Sequence, residues 1–363
     1  MKTFLSILFS IGLLIMACSD GSIPTATAPL QELQAKYVDQ RPVLDGIGNE
    51  ALWEEARPYY VHVVPTEGKN KGQEFNIEFK AVWWKEWSKG KADWDERAYL
   101  ALLISWPDAQ KNIDKQHWEY LPDQGRWQRT KEQSDWLILQ WFALSERNDI
   151  WYWDAALTNP LGYAEDEFML ISQAEDSTQK ASLWIDGLNY LNDTDTEQNT
   201  WDLNYDDNLT PRDSTDDKPL WAWVDTVGST PPTKPRIYSS DDAPNSFLFK
   251  SDADFLKNTP YAEPTTKVTI PGYALEEPKD DPADIMAAGN WQDGQWTVEI
   301  VRSSATKNSS DISFSPDDRY FSQVFLVAVG NNKKSPLEGS NNSIFLSRDQ
   351  VVLNFEYIPP RHN

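Results

Sequence analysis

Side chains that could bind a metal or transfer a proton are scattered along this sequence and do not form a known catalytic pattern. The three histidines, His62, His117 and His362, are far apart, so we do not expect them to share a metal ion. The sequence has no Cys-x-x-Cys-His haem-attachment motif, Gly-x-Ser-x-Gly elbow, phosphate-binding loop or His-Glu-x-x-His zinc motif. We therefore predict that the chain is not an enzyme.

Carboxylates are abundant: 57 Asp and Glu face 33 Lys and Arg, for a formal net charge of −24. Six aspartates between Asp202 and Asp217 offer the oxygen ligands that calcium prefers, although their spacing does not match an EF-hand loop. We interpret them as a solvated loop, with calcium binding as the alternative. The acidic surface disfavours nucleic acid and anionic lipid headgroups as partners.

The N-terminus has the pattern of a bacterial lipoprotein export signal. Lys2 precedes an apolar run over 4–14, and Ile-Met-Ala-Cys at 15–18 resembles a lipobox. We predict that residues 1–17 are removed and that Cys18, the sole cysteine, is lipidated and holds the chain at a membrane. An ordinary secretory signal is the alternative. By resemblance to lipoprotein sorting signals, Ser19 favours the outer membrane, with the protein facing the periplasm or the cell surface.

The rest of the chain is predicted to be mainly β. Residues 18–36 are rich in Ser, Thr, Ala and Pro and are predicted to be a flexible tether. A single β-sandwich is expected over 37–358, with a long polar insertion at about 192–267 and few short helices. The best helix candidate is 49–56, with Asn49 as its cap. Short apolar, β-branched or aromatic runs predict strands at 75–82, 99–106, 136–142, 296–301, 320–329 and 351–355.

Three segments resemble a known family. They are Pro-Val-Leu-Asp-Gly at 42–46 followed by Ala-Leu-Trp at 51–53; the stretch 149–166, which contains Trp-Tyr-Trp-Asp and Asn-Pro-Leu-Gly-Tyr-Ala-Glu-Asp; and 271–273 with 283–302. Together they are similar to the ethylbenzene dehydrogenase-related haem-binding domain of cytochrome c-552 and dimethyl sulfoxide reductase-like systems. The first segment is also shared with family 9 carbohydrate-binding modules. The resemblance implies an immunoglobulin-like or DOMON-like sandwich, of the type that carbohydrate-binding modules also have.

The resemblance also implies a cofactor, a non-covalent haem b between the sheets, held by Met and Lys and passing single electrons beside a redox enzyme. This sequence departs from the family at two positions, because Ser145–Asn148 replaces a Met-Gly pair and Asp154 replaces a lysine. The candidate cofactor-binding residues that remain are the thioethers, the amines, two indoles and one counter-charge for a ligand carboxylate: Met169, Met286, Lys333, Lys334, Trp151, Trp153 and Arg302.

Two other functions stay open. A carbohydrate-binding surface lipoprotein would use exposed tryptophans, of which the chain has 18 in all, to stack on sugar faces. A cofactor-free descendant of the haem domain would serve as a structural or assembly partner, which the replaced ligand positions favour.

Overall fold

A computed structural model gives the architecture of most of the chain. It describes residues 32–65, 73–89, 94–142, 147–170, 191–192, 201–209, 214–225, 234–243, 246–277, 284–306, 311–332 and 342–358. Contacts between Cα atoms group Glu32–Asn363 into one compact unit. The predicted lipidation site Cys18 lies outside the described residues.

The main sheet contains thirteen strands. Strands of all sheets are numbered together in chain order, so the numbers missing here belong to the smaller sheets. The strands of the main sheet are β1 (Leu33–Tyr37), β2 (Tyr59–Pro65), β3 (Phe75–Lys89), β4 (Trp94–Pro107), β7 (Trp136–Phe142), β8 (Arg147–Asp154), β9 (Glu165–Leu170), β10 (Leu191–Asn192), β18 (Ile285–Gln292), β19 (Gln295–Ser303), β20 (Ser322–Asn332), β21 (Asn342–Ser347) and β22 (Val351–Phe355).

The strand order is β10-β9-β8-β7-β20-β21-β2-β3-β4-β19-β18, and β1 lies parallel between β3 and β22. The sheet folds over on itself, so that Phe79 of β3 packs on Phe325 of β20 with ring centroids 5.7 Å apart. The two half-sheets share one apolar core, in which alternate residues of each strand are buried. The predicted β-sandwich and mainly-β class are confirmed.

Most strand predictions hold, but β1 begins at Leu33, inside the stretch predicted to be a tether. Leu33 and Ala35 are fully buried in the core. The Leu-x-Ala alternation is too short to distinguish from a linker by its pattern. The neighbours β3 and β22, far along the chain, turn this short segment into a strand.

The polar insertion builds a second, smaller apolar cluster with the two strands that follow β4. Its buried members include Trp118, Trp127 and Trp223. The small sheets here are β5 (Trp118–Leu121) with β6 (Arg126–Arg129) and β16 (Thr269–Ile270), β11 (Trp201–Leu203) with β17 (Tyr273–Leu275), β12 (Trp221–Ala222) with β15 (Asp254–Phe255), and β13 (Val224–Asp225) with β14 (Arg236–Ile237).

One short α-helix, α1 (Ala51–Glu55), lies in the described residues, together with 3-10 turns at Asn159–Leu161 and Lys250–Asp252. Its N-cap is Glu50 rather than the predicted Asn49, and the Glu50 carboxylate makes no capping hydrogen bond but accepts one from Val43 N. None of the helices described reaches the length and hydropathy needed to cross a bilayer.

The predicted turn at Asp45 and Gly46 is held by a buried carboxylate on β19. Glu299 Oε2 accepts hydrogen bonds from Asp45 N (2.9 Å) and Gly46 N (2.7 Å). Glu299 Oε1 accepts one from Trp53 Nε1 at 3.0 Å. Gly46 has φ +74°, a conformation that strongly favours glycine. The same carboxylate thus fixes the turn and the helix that follows it.

Candidate functional site

A single guanidinium is surrounded by four carboxylates inside the sandwich. Arg302 of β19 is 0% exposed. Its Nη1 lies 2.7 Å from Asp149 Oδ2, and its Nη2 lies 3.2 Å from Asp166 Oδ2 and 2.6 Å from Asp311 Oδ2. Asp284 Oδ1 is 3.7 Å from Nε. We call these five residues the Arg302 cluster.

The charges of the Arg302 cluster do not balance, since one cation faces four carboxyl groups. Burial raises the pKa of Asp149 although Arg302 opposes it, and burial followed by repulsion from Asp149 raises the pKa of Asp166 well above its usual range. Burial raises the pKa of Asp284 to about 6. Burial lowers the pKa of Arg302, but the four carboxylates outweigh that effect and the net pKa is raised. The arginine therefore remains charged while protons or another cation offset the excess negative charge.

This arrangement changes the expected role of Arg302. The sequence predicts a counter-charge for a ligand's carboxylate, whereas the structure surrounds the guanidinium with carboxylates of the chain itself. Asp149 Oδ2 accepts a second hydrogen bond, from Ile312 N at 2.9 Å. A carboxylate-bearing ligand would meet excess negative charge here, so the cluster is not an anion-binding site.

Trp151 and Trp153 both face the interior of the sandwich, as their alternation predicts, but side chains fill the space between them and the opposite half-sheet. Trp151 lies 4.8 Å from Trp141 and Trp153 lies 5.1 Å from Trp296, between ring centroids. Trp153 also covers Gly289 so closely that a Cβ there would stand 2.2 Å from its Cζ2. The described side chains therefore occupy the place that the prediction assigned to a porphyrin.

The candidate axial ligands are distributed over the chain. Met286 of β18 is 45% exposed. Met169 belongs to β9, where the register pairs it with Asn148 of β8, and its side chain lies outside the described part. Lys333 and Lys334 follow the end of β20 and also lie outside the described residues. Of these four side chains only that of Met286 is described, and it lies on the outward side of β18, away from the interior that the two indoles face.

Asp154, which stands where the family has a lysine, has a complete set of partners. Lys115 Nζ donates to its Oδ2 at 2.7 Å, the Tyr152 hydroxyl donates to the same oxygen, and Ser134 Oγ donates to Oδ1 at 2.7 Å. The backbone N–H groups of residues 156 and 157 also donate to Oδ1. Burial raises the pKa of Asp154, but Lys115 and these hydrogen bonds outweigh it, and the net pKa is lowered.

Sequence reasoning did not find Lys115, because nothing near it in the chain signals a partner in β8. Its ammonium also lies 5.7 Å from the ring centroid of Tyr152 and 5.9 Å from that of Tyr273. A small cleft beside it, lined also by His117, has an interior volume of about 30 Å³. That is room for about one or two water molecules and far too little for a porphyrin.

The side of β7, β8 and β20 that faces away from the core is also apolar and buried. Ile138, Ile150 and Ala328 form a cluster there with half-buried Trp136, Tyr152 and Leu346. In the part of the chain that the structure describes, every member of this cluster belongs to the sheet itself. We call this surface, defined by these six residues together with Gln140 and Asn148, the outer face.

The outer face contains polar atoms that are buried without a partner. Both amide atoms of Gln140 and the Oδ1 of Asn148 have no hydrogen bond. Buried polar atoms of this kind require an explanation, such as an ordered water, an ion, a bound molecule or a redox role. Because Met169 is paired with Asn148, one candidate ligand position borders this face.

Of the comparisons with known proteins, one supports the sequence resemblance. A search of curated proteins finds no match. A crystal structure of a protein from Bacteroides uniformis, provisionally described as carbohydrate-binding, is 8% identical, with a TM-score of 0.34 over 90% of this chain and 99% of that one. The family model for ethylbenzene dehydrogenase matches residues 145–334, which include the whole Arg302 cluster and half of the eight residues of the outer face. The chain belongs to the ethylbenzene dehydrogenase family.

Proposed function

We propose that this chain binds haem b non-covalently against the outer face and passes single electrons to a redox protein, as a lipoprotein anchored through Cys18. The observation that carries the proposal is the set of orphaned polar atoms of Gln140 and Asn148 on an apolar, buried surface. A porphyrin needs an apolar surface for its ring, and haem supplies one-electron chemistry when it is bound. Family membership supports the same cofactor.

The outer face is the surface that we propose for haem, and its central residues are buried as deeply as those of the interior. The interior positions at Trp151 and Trp153 are packed with aromatic side chains, whereas Ile138, Ile150 and Ala328 present aliphatic groups on the outer side. Met169 is the axial ligand that we propose, because its strand position borders the outer face. Met286 is half-exposed on β18, outside the outer face, and is not proposed as a ligand.

The second axial position would come from Lys333 or Lys334. The register places Asn332, the last described residue before them, at the end of β20 opposite to the end that neighbours Met169. With a rise of about 3.3 Å per residue, the separation along the strands is roughly 25 Å. The two lysines are therefore proposed on the family resemblance, because they lie outside the described residues.

An absorption spectrum tests the proposal. Protein produced with haem supplementation should show a Soret band that shifts on dithionite reduction. Met169→Leu should weaken haem affinity at least tenfold, while Met286→Leu serves as the matched control and should bind like wild type. Absence of a Soret band from wild type at full haem supply would overturn haem binding. A band unchanged by Met169→Leu would overturn the ligand assignment.

A cofactor-free assembly role is the second candidate, favoured by Asp154 and its complete set of partners in place of the family lysine. Wild type without a Soret band, yet folded and associated with a redox enzyme, would support that role. Sugar binding receives less support, because none of the tryptophans with a described exposure is exposed. We accordingly expect the protein to have no catalytic activity of its own.

A further inference from the structure

The Arg302 cluster leaves carboxylate oxygens without partners. Asp149, Asp166 and Asp311 each place Oδ2 near the guanidinium, and their Oδ1 atoms have no hydrogen bond. The Oδ1 of Asp284 has none either. Asp166 is only 3% exposed and the Asp311 side chain only 2%. Unpartnered carboxylate oxygens at this depth are costly unless another group meets them.

Three of these carboxylates converge. Asp166, Asp284 and Asp311 each offer an oxygen, and these oxygens lie within 4.8 Å of one another. Calcium binds oxygen ligands at about 2.3–2.6 Å, so two ligands of one ion can be up to about 5 Å apart. Magnesium needs near-octahedral ligands at about 2.0–2.1 Å, which sets a tighter limit of about 4.2 Å. A spacing of up to 4.8 Å admits calcium over its whole range and magnesium over part of it.

The net charge of the Arg302 cluster also favours a bound cation. With all groups ionised, four carboxylates and one guanidinium carry an excess of three negative charges in a buried site. A divalent cation would offset two of them. Its own repulsion from Arg302 is compensated, because the carboxylates of the cluster outnumber the guanidinium.

We propose that Asp166, Asp284 and Asp311 bind a calcium ion beside Arg302, with water completing its coordination. The Asp284 side chain is 29% exposed and gives the site a route to solvent. The site is distinct from the aspartate run between residues 202 and 217 that the sequence suggested. It does not depend on haem, since it lies on the interior side of β8 and β9 and uses none of the proposed haem contacts.

Terbium, a luminescent substitute for calcium, gives a direct test. Trp151 lies 5.2 Å from the Arg302 guanidinium, close enough for its indole to sensitise terbium bound in the cluster. Full-length protein stripped of metal should show indole-excited terbium emission that calcium displaces at one equivalent. Calcium at 1 mM should also raise the Tm by about 3 °C or more, with a smaller effect of magnesium.

Two variants and one control localise the ion. Asp284→Asn and Asp311→Asn should each weaken calcium binding at least tenfold. Asp293→Asn, in the exposed β18–β19 turn, should bind like wild type. Wild type that binds no calcium by equilibrium dialysis, or binding unchanged in both cluster variants, would overturn the proposal. If one variant fails to fold by near-UV circular dichroism, the other variant and the wild-type emission still decide.

Discussion

Asp154 and Asp166 are buried carboxylates in neighbouring strands, yet their environments shift their pKa values in opposite directions. Asp154 has one ammonium, two hydroxyls and two backbone N–H groups to itself, so its pKa is lowered. Asp166 shares one guanidinium with three other carboxyl groups, so its pKa is raised. The difference shows that the ratio of donors to carboxylates, rather than burial alone, determines the charge state.

Removal of the shared cation should have the largest effect. Arg302→Met leaves four buried carboxyl groups without a positive charge, and we expect a loss of about 4–5 kcal/mol in the free energy of unfolding at pH 7. Urea denaturation measures it. Arg319→Met, on an exposed turn, is the control and should change stability by less than about 0.5 kcal/mol. A loss below about 1 kcal/mol in Arg302→Met would mean that the cluster is neutral without its arginine.

Asp154→Asn should cost less, about 3 kcal/mol, because it leaves Lys115 without its carboxylate and removes an acceptor shared by two hydroxyls. Urea denaturation of this variant should be compared with that of Asp123→Asn, which alters an exposed turn and should change little. A variant as stable as wild type would show that Lys115 finds solvent or another partner at no cost.

In protein stripped of metal, Asp166→Asn should be neutral or stabilising by about 1 kcal/mol at pH 7, since it removes repulsion among the cluster carboxylates. The pKa of Asp166 is raised on folding, so its protonation stabilises wild type increasingly as the pH falls toward the ordinary value of 3.8. The advantage of the variant should therefore shrink between pH 7 and pH 4.

The dependence of stability on pH also distinguishes Asp154 from Asp166. The pKa of Asp154 is lowered on folding, so its contribution is present above the ordinary value of 3.8 and is lost only below it. The deficit of Asp154→Asn should stay constant between pH 7 and pH 4. Parallel pH profiles for the two variants would contradict the comparison.

Asp108 should show the smallest effect. Burial, followed by repulsion from Asp135, raises the pKa of Asp108 to about 8, so its carboxyl group is largely protonated at pH 7. Asp108→Asn should then be neutral or stabilising by about 1 kcal/mol at pH 7, because wild type must bind a proton on folding and the variant need not. The stabilising contribution of the raised pKa is fully present below the ordinary value of 3.8 and is lost as the pH rises from there through 8. Wild type should lose stability between pH 4 and pH 8 more steeply than the variant in thermal unfolding.

The sandwich could be predicted because its strands carry their own pattern. The ends of β7 and β22 coincide with the predicted runs, and Trp151 and Trp153 face the same side as their alternation requires. The short strands of the insertion could not be predicted, since many contain two residues and exist only through pairing with distant segments.

The sites were less predictable than the fold. Arg302 was selected from a motif. The four carboxylates around it come from segments far apart in the chain, and no local sequence pattern predicts that they lie close together in the fold. Lys115 was missed for the same reason. Aromatic richness suggested a pocket, whereas the indoles in the interior mostly pack on one another. The amino-acid composition alone does not distinguish a cavity lined by aromatic side chains from a core filled by them.

The position of β1 has a mechanical consequence. Because β1 lies parallel between β3 and β22, tension that arrives through the chain before Glu32 runs along the strand axis and acts on the hydrogen bonds on both its sides together. Bonds loaded in shear resist force jointly, whereas those of an edge hairpin open one after another. A domain pulled from its N-terminus should therefore keep its sheet intact until β1 slides out as a whole.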